Sequence, residues 1–245
     1  MSLMWTSAAI TDVGKVRTIN EDACIAMPEK GVWVVADGMG GHEAGDVASQ
    51  MIVQSMAGLT HTNRLNNRID EIEDSLDDVN KHLIDIAAEK GESALVGSTI
   101  AALVAHKKYC VSIWAGDSRV YRLREGLLER ITQDHSQVEE MVEMGELSAE
   151  EAEEHPDANI ITRAVGVDDQ LYLDLELQEL VAGDRYMLCS DGLNKELTDQ
   201  EIHGYLTVGN CAEACQSLVQ ETLSRGSRDN VSVVVIQFET NEQGR

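Results

Sequence analysis

Several acidic residues of this chain stand where an apolar run meets a small residue. Asp37-Gly38 follows the run VWVVA, Asp117 sits in AGDSR after VSIWA, and Asp191-Gly192 follows YMLCS. Asp229-Asn230 lies just before the run VSVVVI, and the pair Glu21-Asp22 follows Arg17 by four and five residues. Asp-Gly is also the favoured two-residue hairpin turn, so either pair alone reads as a turn. As a set they suggest chemistry. A carboxylate at the end of an apolar strand is held at a sheet edge in a fixed orientation, and several converging there repel unless cations compensate them. Mg²⁺ and Mn²⁺ suit such a place because they prefer oxygen ligands and need only a few carboxylates. A glycine after the aspartate lets a backbone carbonyl approach the ion with no Cβ in the way.

Rival phosphate chemistries fail on the same residues. Gly38-Met39-Gly40-Gly41-His42-Glu43 lies between a strand and a helix pattern, but a GxGxxG reading from Gly38 puts the bulky anion Glu43 where a pyrophosphate would pack. No GxxxxGK followed by Ser or Thr occurs, so there is no P-loop. The positions six residues after each cysteine hold Lys30, Gly116, Lys195, Ser217 and Glu221, not the arginine that cysteine-nucleophile phosphatases require. The cysteines (Cys24, Cys110, Cys189, Cys211, Cys215) form neither a CxxC pair nor a zinc spacing and are expected as buried thiols.

The elements that must position the carboxylates follow from periodicity. Val32 to Ala36 reads as a strand, and a helical pattern runs from about Ala44 to Leu59. Ile69, Ile72, Leu76, Val79, Leu83 and Ile86 alternate spacings of three and four, which gives an amphipathic helix. Its stripe suits a coiled coil or, better at this length, a helix lying on a sheet. Ser98–Ala105, Tyr109–Ala115, Arg119–Arg124 and Leu127–Thr132 read as a meander of antiparallel strands, with Gly116-Asp117-Ser118 as one of its turns. Residues 133–159 are acidic and helical in pattern. Further strands are predicted at Leu171–Leu177, Arg185–Cys189 and Val231–Phe238, with a helix near Cys211–Leu223. Strands separated by long helical insertions point to an α+β layered fold.

Composition narrows the function classes. The 245 residues carry a formal charge of −25, which repels nucleic acid. No apolar run approaches the roughly 20 residues of a membrane-spanning helix, and the N-terminus lacks a secretory pattern. The chain is expected to be cytoplasmic and free of membrane and nucleic-acid partners. Only Pro28 and Pro156 occur and no linker or repeat interrupts the chain, so residues 1–245 are expected to form one domain.

The motifs, taken in order, resemble those of the metal-dependent protein phosphatases of the PP2C type, especially their compact bacterial stand-alone members. They are T-x-x-G-x-x-R-x-x-N-E-D (Thr11 to Asp22), VVADGMGGHEAGDVAS (Val34 to Ser49), GSTIAAL (Gly97 to Leu103), AGDSRVYR (Ala115 to Arg122), ITQDHS (Ile131 to Ser136), ITRAVG (Ile161 to Gly166), LCSDGL (Leu188 to Leu193) and DNVSVVVI (Asp229 to Ile236).

The resemblance implies a four-layer α-β-β-α fold: a β-sandwich of two antiparallel sheets flanked by helix pairs, with two or three Mn²⁺ or Mg²⁺ ions at one end. It implies that Asp37 bridges two ions, the Gly38 carbonyl binds one, Asp191 and Asp229 complete the other, and Glu21 and Asp22 bind directly or through water. Asp117 with Asp191 would hold a third ion, and Arg17 would clamp the substrate phosphate. A water bridging two ions would attack phosphoserine or phosphothreonine directly, with no phosphoenzyme. Some relatives carry a histidine directly after Asp-Gly as general acid; here Met39 stands there, leaving His42, or water on a metal, for that role. His42 could equally cap the following helix. The acidic segment at about 133–160 falls where the family has a variable flap, either a solvated face or a filter favouring basic phosphopeptides. A short polar tail is expected at 239–245. The implied partners are phosphorylated proteins, including a cognate Ser/Thr kinase or its substrates. The alternative is a catalytically weak member acting as a partner-binding regulatory module.

Overall fold

Runs such as Val32–Ala36 and Val233–Ile236 are apolar at every position, which suits strands covered on both faces. The structure, a computed structural model, describes residues 3–40, 44–60, 64–91, 94–153 and 155–240. In chain order its elements are β1 (Leu3–Asp12), β2 (Asp22–Met27), β3 (Val32–Gly40), α1 (Gly45–Gly58), α2 (Leu65–Lys90), β4 (Val96–Ser98), β5 (Ile100–His106), β6 (Tyr109–Ala115), β7 (Arg119–Arg124) and β8 (Leu127–Arg130). There follow α3 (Gln137–Glu143), α4 (Ala149–Glu153), β9 (Asp174–Glu179), β10 (Arg185–Cys189), α5 (Asp191–Asn194), α6 (Asp199–Leu206), α7 (Cys211–Ser224) and β11 (Val231–Thr240).

Among the described residues the strands form two antiparallel sheets, ordered β1-β11-β10-β7-β8 and β2-β3-β5-β6-β9, with β4 paired to the far end of β3. Strict alternation sorts each strand's side chains into two cores. From β3, Val32, Val34 and Ala36 join Ile52 and Met56 of α1 and Ile72, Leu76 and Leu83 of α2. From β11, Val231, Val233 and Val235 join Ile202 of α6 and Cys215 and Leu218 of α7. The opposite faces, Trp33, Val35, Val234, Ile236 and Phe238 among them, meet between the sheets. Three cores thus separate four layers, α-β-β-α. The stripe of α2 is spent on its own chain's core, on α1 and the sheet beneath, and not on a coiled-coil partner.

Several expectations change. Strands β6 and β7 do not pair: β6 lies against β9 in one sheet and β7 against β10 in the other, so Gly116-Asp117-Ser118 crosses between sheets and the meander is broken there. Neither Asp-Gly pair is a hairpin turn, because β3 runs through Asp37-Gly38 to Gly40 and Asp191-Gly192 opens α5. The strand expected over Ser98–Ala105 is interrupted at Thr99, and the one at Leu171–Leu177 is shifted to Asp174–Glu179. Strand β11 extends to Thr240, so the polar tail begins later than residue 239, and Cys24 is only partly buried while the other four thiols are buried.

Candidate metal centre

Side-chain parity explains how carboxylates come to lie between the sheets. Asp37 is two residues beyond Val35, so it shares the inter-sheet face of β3, and Asp22 is its direct partner across the β2–β3 ladder. Ser190, just after β10, and Ser232, in β11, continue the inward-facing alternation by one step. At this end of the sandwich the core therefore turns polar. Ser190 Oγ donates to Asp22 Oδ2 at 2.7 Å and accepts from the Ser232 amide at 2.9 Å.

Asp117 arrives by the crossover, and Asp191 by the first turn of α5. Thr99 links these pieces: the Asp37 amide donates to Thr99 Oγ1 at 3.0 Å, the Thr99 amide donates to the Asp37 carbonyl at 2.8 Å, and Thr99 Oγ1 lies 2.7 Å from Ser118 Oγ. His135, stacked on Trp114, accepts from the Gly116 amide at Nδ1, 3.1 Å away. Asn230 secures the loop that carries Arg17. Its Oδ1 accepts from the Glu21 amide at 2.8 Å, and its Nδ2 donates to the Val13 and Ile19 carbonyls at 2.9 and 3.0 Å. Gly38 packs where no side chain fits, since a Cβ there would lie 1.9 Å from the Gly45 carbonyl oxygen.

The electrostatics are those of like charges forced together. Burial pushes Asp22 up to about 7 against the pull of its serine hydrogen bonds, and Asp191 and Asp229 add to the rise. Burial and then Asp191 push Asp117 up to about 7, with Lys195 opposing. Asp37 is held well above the usual carboxylate range by burial first, and then by Asp22, Asp191, Asp117 and Asp229. Glu21, on the rim, is raised by burial and pulled back by Arg17.

Two side-chain cations answer part of this charge. Arg17 Nη2 donates to Asp229 Oδ2 at 2.9 Å, half-exposed at the rim. Lys195 Nζ donates to Asp191 Oδ2 and to Asn159 Oδ1, the latter at 2.6 Å. Desolvation would lower the Lys195 ammonium, but Asp191, Asp117 and Asp37 outweigh it and raise its pKa.

Whether this cluster fits a divalent cation can be judged from its oxygens. Among the described residues, Asp22 Oδ1, Asp117 Oδ1 and Asp191 Oδ1 are buried with no hydrogen-bond partner. Buried acceptors are otherwise nearly always paired, so three orphans at one end of the sandwich mark an unmet demand for positive charge. The donor set is all oxygen, as hard cations prefer. No group of three or more His, Cys, Asp or Glu among the described residues is already gathered as a finished cage.

The structure thus brings Asp22, Asp37, Gly38, Asp117 and Asp191 to one end of the sandwich, with Glu21, Arg17 and Asp229 at its rim. His42 lies outside the described residues. Sequence reasoning missed Thr99, Ser118, His135, Ser190 and Lys195 as parts of the site. Of these, Thr99, Ser118, His135 and Ser190 each belong to a quoted motif, whereas Lys195 appeared only as a residue that is not arginine. The cysteines stay out of the chemistry, since burial pushes Cys24 and Cys110 up to about 11 and Cys189 and Cys215 up to about 12.

The family model for protein phosphatase 2C matches residues 15–232. The serine/threonine phosphatase stp of Listeria monocytogenes is 32% identical over 243 residues, covering 96% of this chain and 96% of its own. Among solved structures, PppA, a key regulatory component of T6SS in Pseudomonas aeruginosa, superposes with a TM-score of 0.91 at 40% identity, covering 97% of this chain and 100% of that one. The catalytic domain of the phosphatase PstP, in complex with two manganese ions, gives a TM-score of 0.87 at 33% identity over 97% of this chain and 100% of that one.

Proposed function

The chain belongs to the protein phosphatase 2C family and is a metal-dependent protein phosphatase, a premise from which we propose that it removes phosphate from phosphoserine and phosphothreonine in proteins through the centre formed by Asp22, Asp37, Asp117 and Asp191. The observation that carries the assignment to this centre is the set of orphaned carboxylate oxygens of Asp22, Asp117 and Asp191 at one end of the sandwich.

In this reading Asp37, the Gly38 carbonyl, Asp191 and Asp229 hold two Mn²⁺ or Mg²⁺ ions, with Glu21 and Asp22 assisting directly or through water. Asp117 and Asp191 offer a corner for a third. Bound divalent cations activate water and draw charge from phosphoryl oxygens. The chain's own residues do the rest. Ser190 and Thr99 fix the carboxylate-bearing backbone, and Asn230 fixes the loop that presents Arg17 at the rim. Arg17, with donors to spare beyond its bond to Asp229, receives the phosphate oxygens. His42 remains the candidate proton donor to the leaving alkoxide. The acidic flap, rooted by Arg119 on Asp134 and Arg130 on Glu139, disfavours acidic peptides and favours basic ones.

We assign the whole of residues 1–245 to one catalytic domain acting in the cytoplasm. No helix among the described residues is long and apolar enough to cross a membrane. Its partners are phosphorylated proteins, with a cognate Ser/Thr kinase or that kinase's substrates foremost. The likeness to PppA, a key regulatory component of T6SS, supports a role for this chain in a dedicated regulatory apparatus.

The test is phosphate release from a phosphothreonine peptide with Mn²⁺, with EDTA, and with Asp191→Asn folded like the parent. Turnover that requires metal and falls by about a thousandfold in the variant supports the reading. Equal turnover by the variant, or turnover in EDTA, refutes it.

A further inference from the structure

Lys195 is poorly explained by packing. It sits one turn after Asp191 as the residue that ends α5, and 39% of its side chain is exposed. Yet its ammonium is directed inward, onto Asp191 Oδ2, and its second bond reaches the flap at Asn159. The other carboxylate oxygen, Asp191 Oδ1, is an orphan, as is Asp117 Oδ1 beside it, and both aspartates are buried. An ammonium on a four-carbon stem is a compact point charge that can enter or leave such a corner by rotating its own side chain. A divalent ion drawn to the same corner must share Asp191 with it.

We propose that Lys195 is a resident cation at the Asp117–Asp191 corner, which competes there with a divalent metal ion and ties the corner to the flap through Asn159. This rests on the reading of the centre given above and deepens it: the chain supplies one of its own positive charges where a further ion would bind. Like charges confined to one corner repel strongly, so an ion entering there displaces the ammonium from Asp191. The Asn159 contact is then lost with it, and the end of the flap is released. Lys195 is a positioning residue in this scheme, and it touches neither phosphorus nor the attacking water.

The test measures Mn²⁺ binding by calorimetry and equilibrium dialysis on the whole chain, with Lys195→Met, Lys195→Arg and the double variant Lys195→Met/Asp117→Asn. Thermal melts confirm that each is folded. Lys195→Met is expected to bind one more Mn²⁺ per chain than the parent, or to bind the last one about tenfold more tightly. Lys195→Arg should bind like the parent, and the double variant should lose the gain. Hydrogen exchange at residues 155–160 should rise in Lys195→Met without metal and be little altered in Lys195→Arg. Identical stoichiometry and affinity in parent and Lys195→Met overturns the proposal while leaving the metal centre intact. A parent that binds no Mn²⁺ at all overturns the centre itself.

Discussion

The same strands end in opposite chemistry. At one end of the sandwich Trp5, Trp33, Tyr186 and Phe238 meet edge to face, with ring centroids 5.7–6.1 Å apart. Tyr186 donates to Gln178 Oε1 at 3.0 Å, and Trp5 Nε1 donates to the Pro28 carbonyl at 2.7 Å, while Trp33 Nε1 is a buried donor with no partner. A few residues along, β3 passes from Trp33 to Asp37, β10 from Tyr186 to Ser190, and β11 from Phe238 back to Ser232. There the core gives way to carboxylates with unmet oxygens. The first end lowers the free energy of the fold through burial and ring packing. The second raises it, through repulsion that a cation would relieve. Stability and chemistry are thus placed at opposite ends of shared strands, and the rigidity of one holds the strain of the other.

Exchanging the damage between the ends tests that division. Asp191→Asn, the largest expected effect on turnover, should leave the metal-free protein at least as stable as the parent, because it removes a repelling charge. Trp33→Ala should do the reverse. Its side chain is fully buried, so truncation is expected to cost about 3–5 kcal/mol in a denaturant melt. The Mn²⁺ affinity of the folded fraction should be unchanged. Should Asp191→Asn unfold the protein as readily as Trp33→Ala, the acid end would be structural and the contrast lost.

A smaller effect separates the ends by pH. Asp22 and Asp117 titrate at about 7 in the folded protein, against roughly 3.9 for an unfolded aspartate. Between those values the folded state binds more protons than the unfolded one, so stability rises as pH falls. The penalty is fully present above the folded pKa and disappears toward the unfolded one. His135 works the other way, since burial pushes it below its ordinary value. The gain is therefore clearest between about pH 8 and 7, where an ordinary histidine, with a pKa of roughly 6.5, is still mostly neutral. In EDTA the denaturation midpoint should climb on acidification across that window, and saturating Mn²⁺ at pH 8 should raise it as well. A midpoint independent of both would mean that the carboxylates are not in conflict.

Much of this contrast was legible in the sequence, for a definite reason. A strand buried on both faces takes almost no charged residues, so VWVVA running into Asp37 and VSIWA running toward Asp117 announce a change of environment. The helix stripe of Ile72, Leu76, Val79 and Leu83 was equally plain. The crossover was not, because Gly116-Asp117-Ser118 has the composition of a hairpin turn whichever sheet its strands join. Its course depends on tertiary fit: Gly116 adopts φ +111°, and a Cβ there would lie 2.6 Å from Thr99 Cγ2. Helix α6 escaped notice although Thr198 and Glu201 form a capping box, since eight residues give too short a periodic signal. Ser190 and Thr99 are common small polar residues, and only their partners reveal what they do.

Ser190 is where the two ends are joined, and its removal gives the smallest and most discriminating effect. Its hydroxyl donates to Asp22 and accepts from the amide of Ser232 in the strand that carries Phe238. Ser190→Ala leaves that amide without its side-chain acceptor, a cost of about 1–3 kcal/mol for a buried group. It also frees Asp22 Oδ2, next to the orphaned Oδ1. If the hydroxyl serves mainly to orient Asp22, Mn²⁺ affinity should fall about tenfold, the scale of lost support behind a metal ligand. If it serves mainly the strand, stability should fall while affinity holds. A melt in EDTA paired with a Mn²⁺ titration reads the two separately. Loss of both together is the expected outcome, because one hydroxyl carries the rigidity of the strands into the position of the carboxylate.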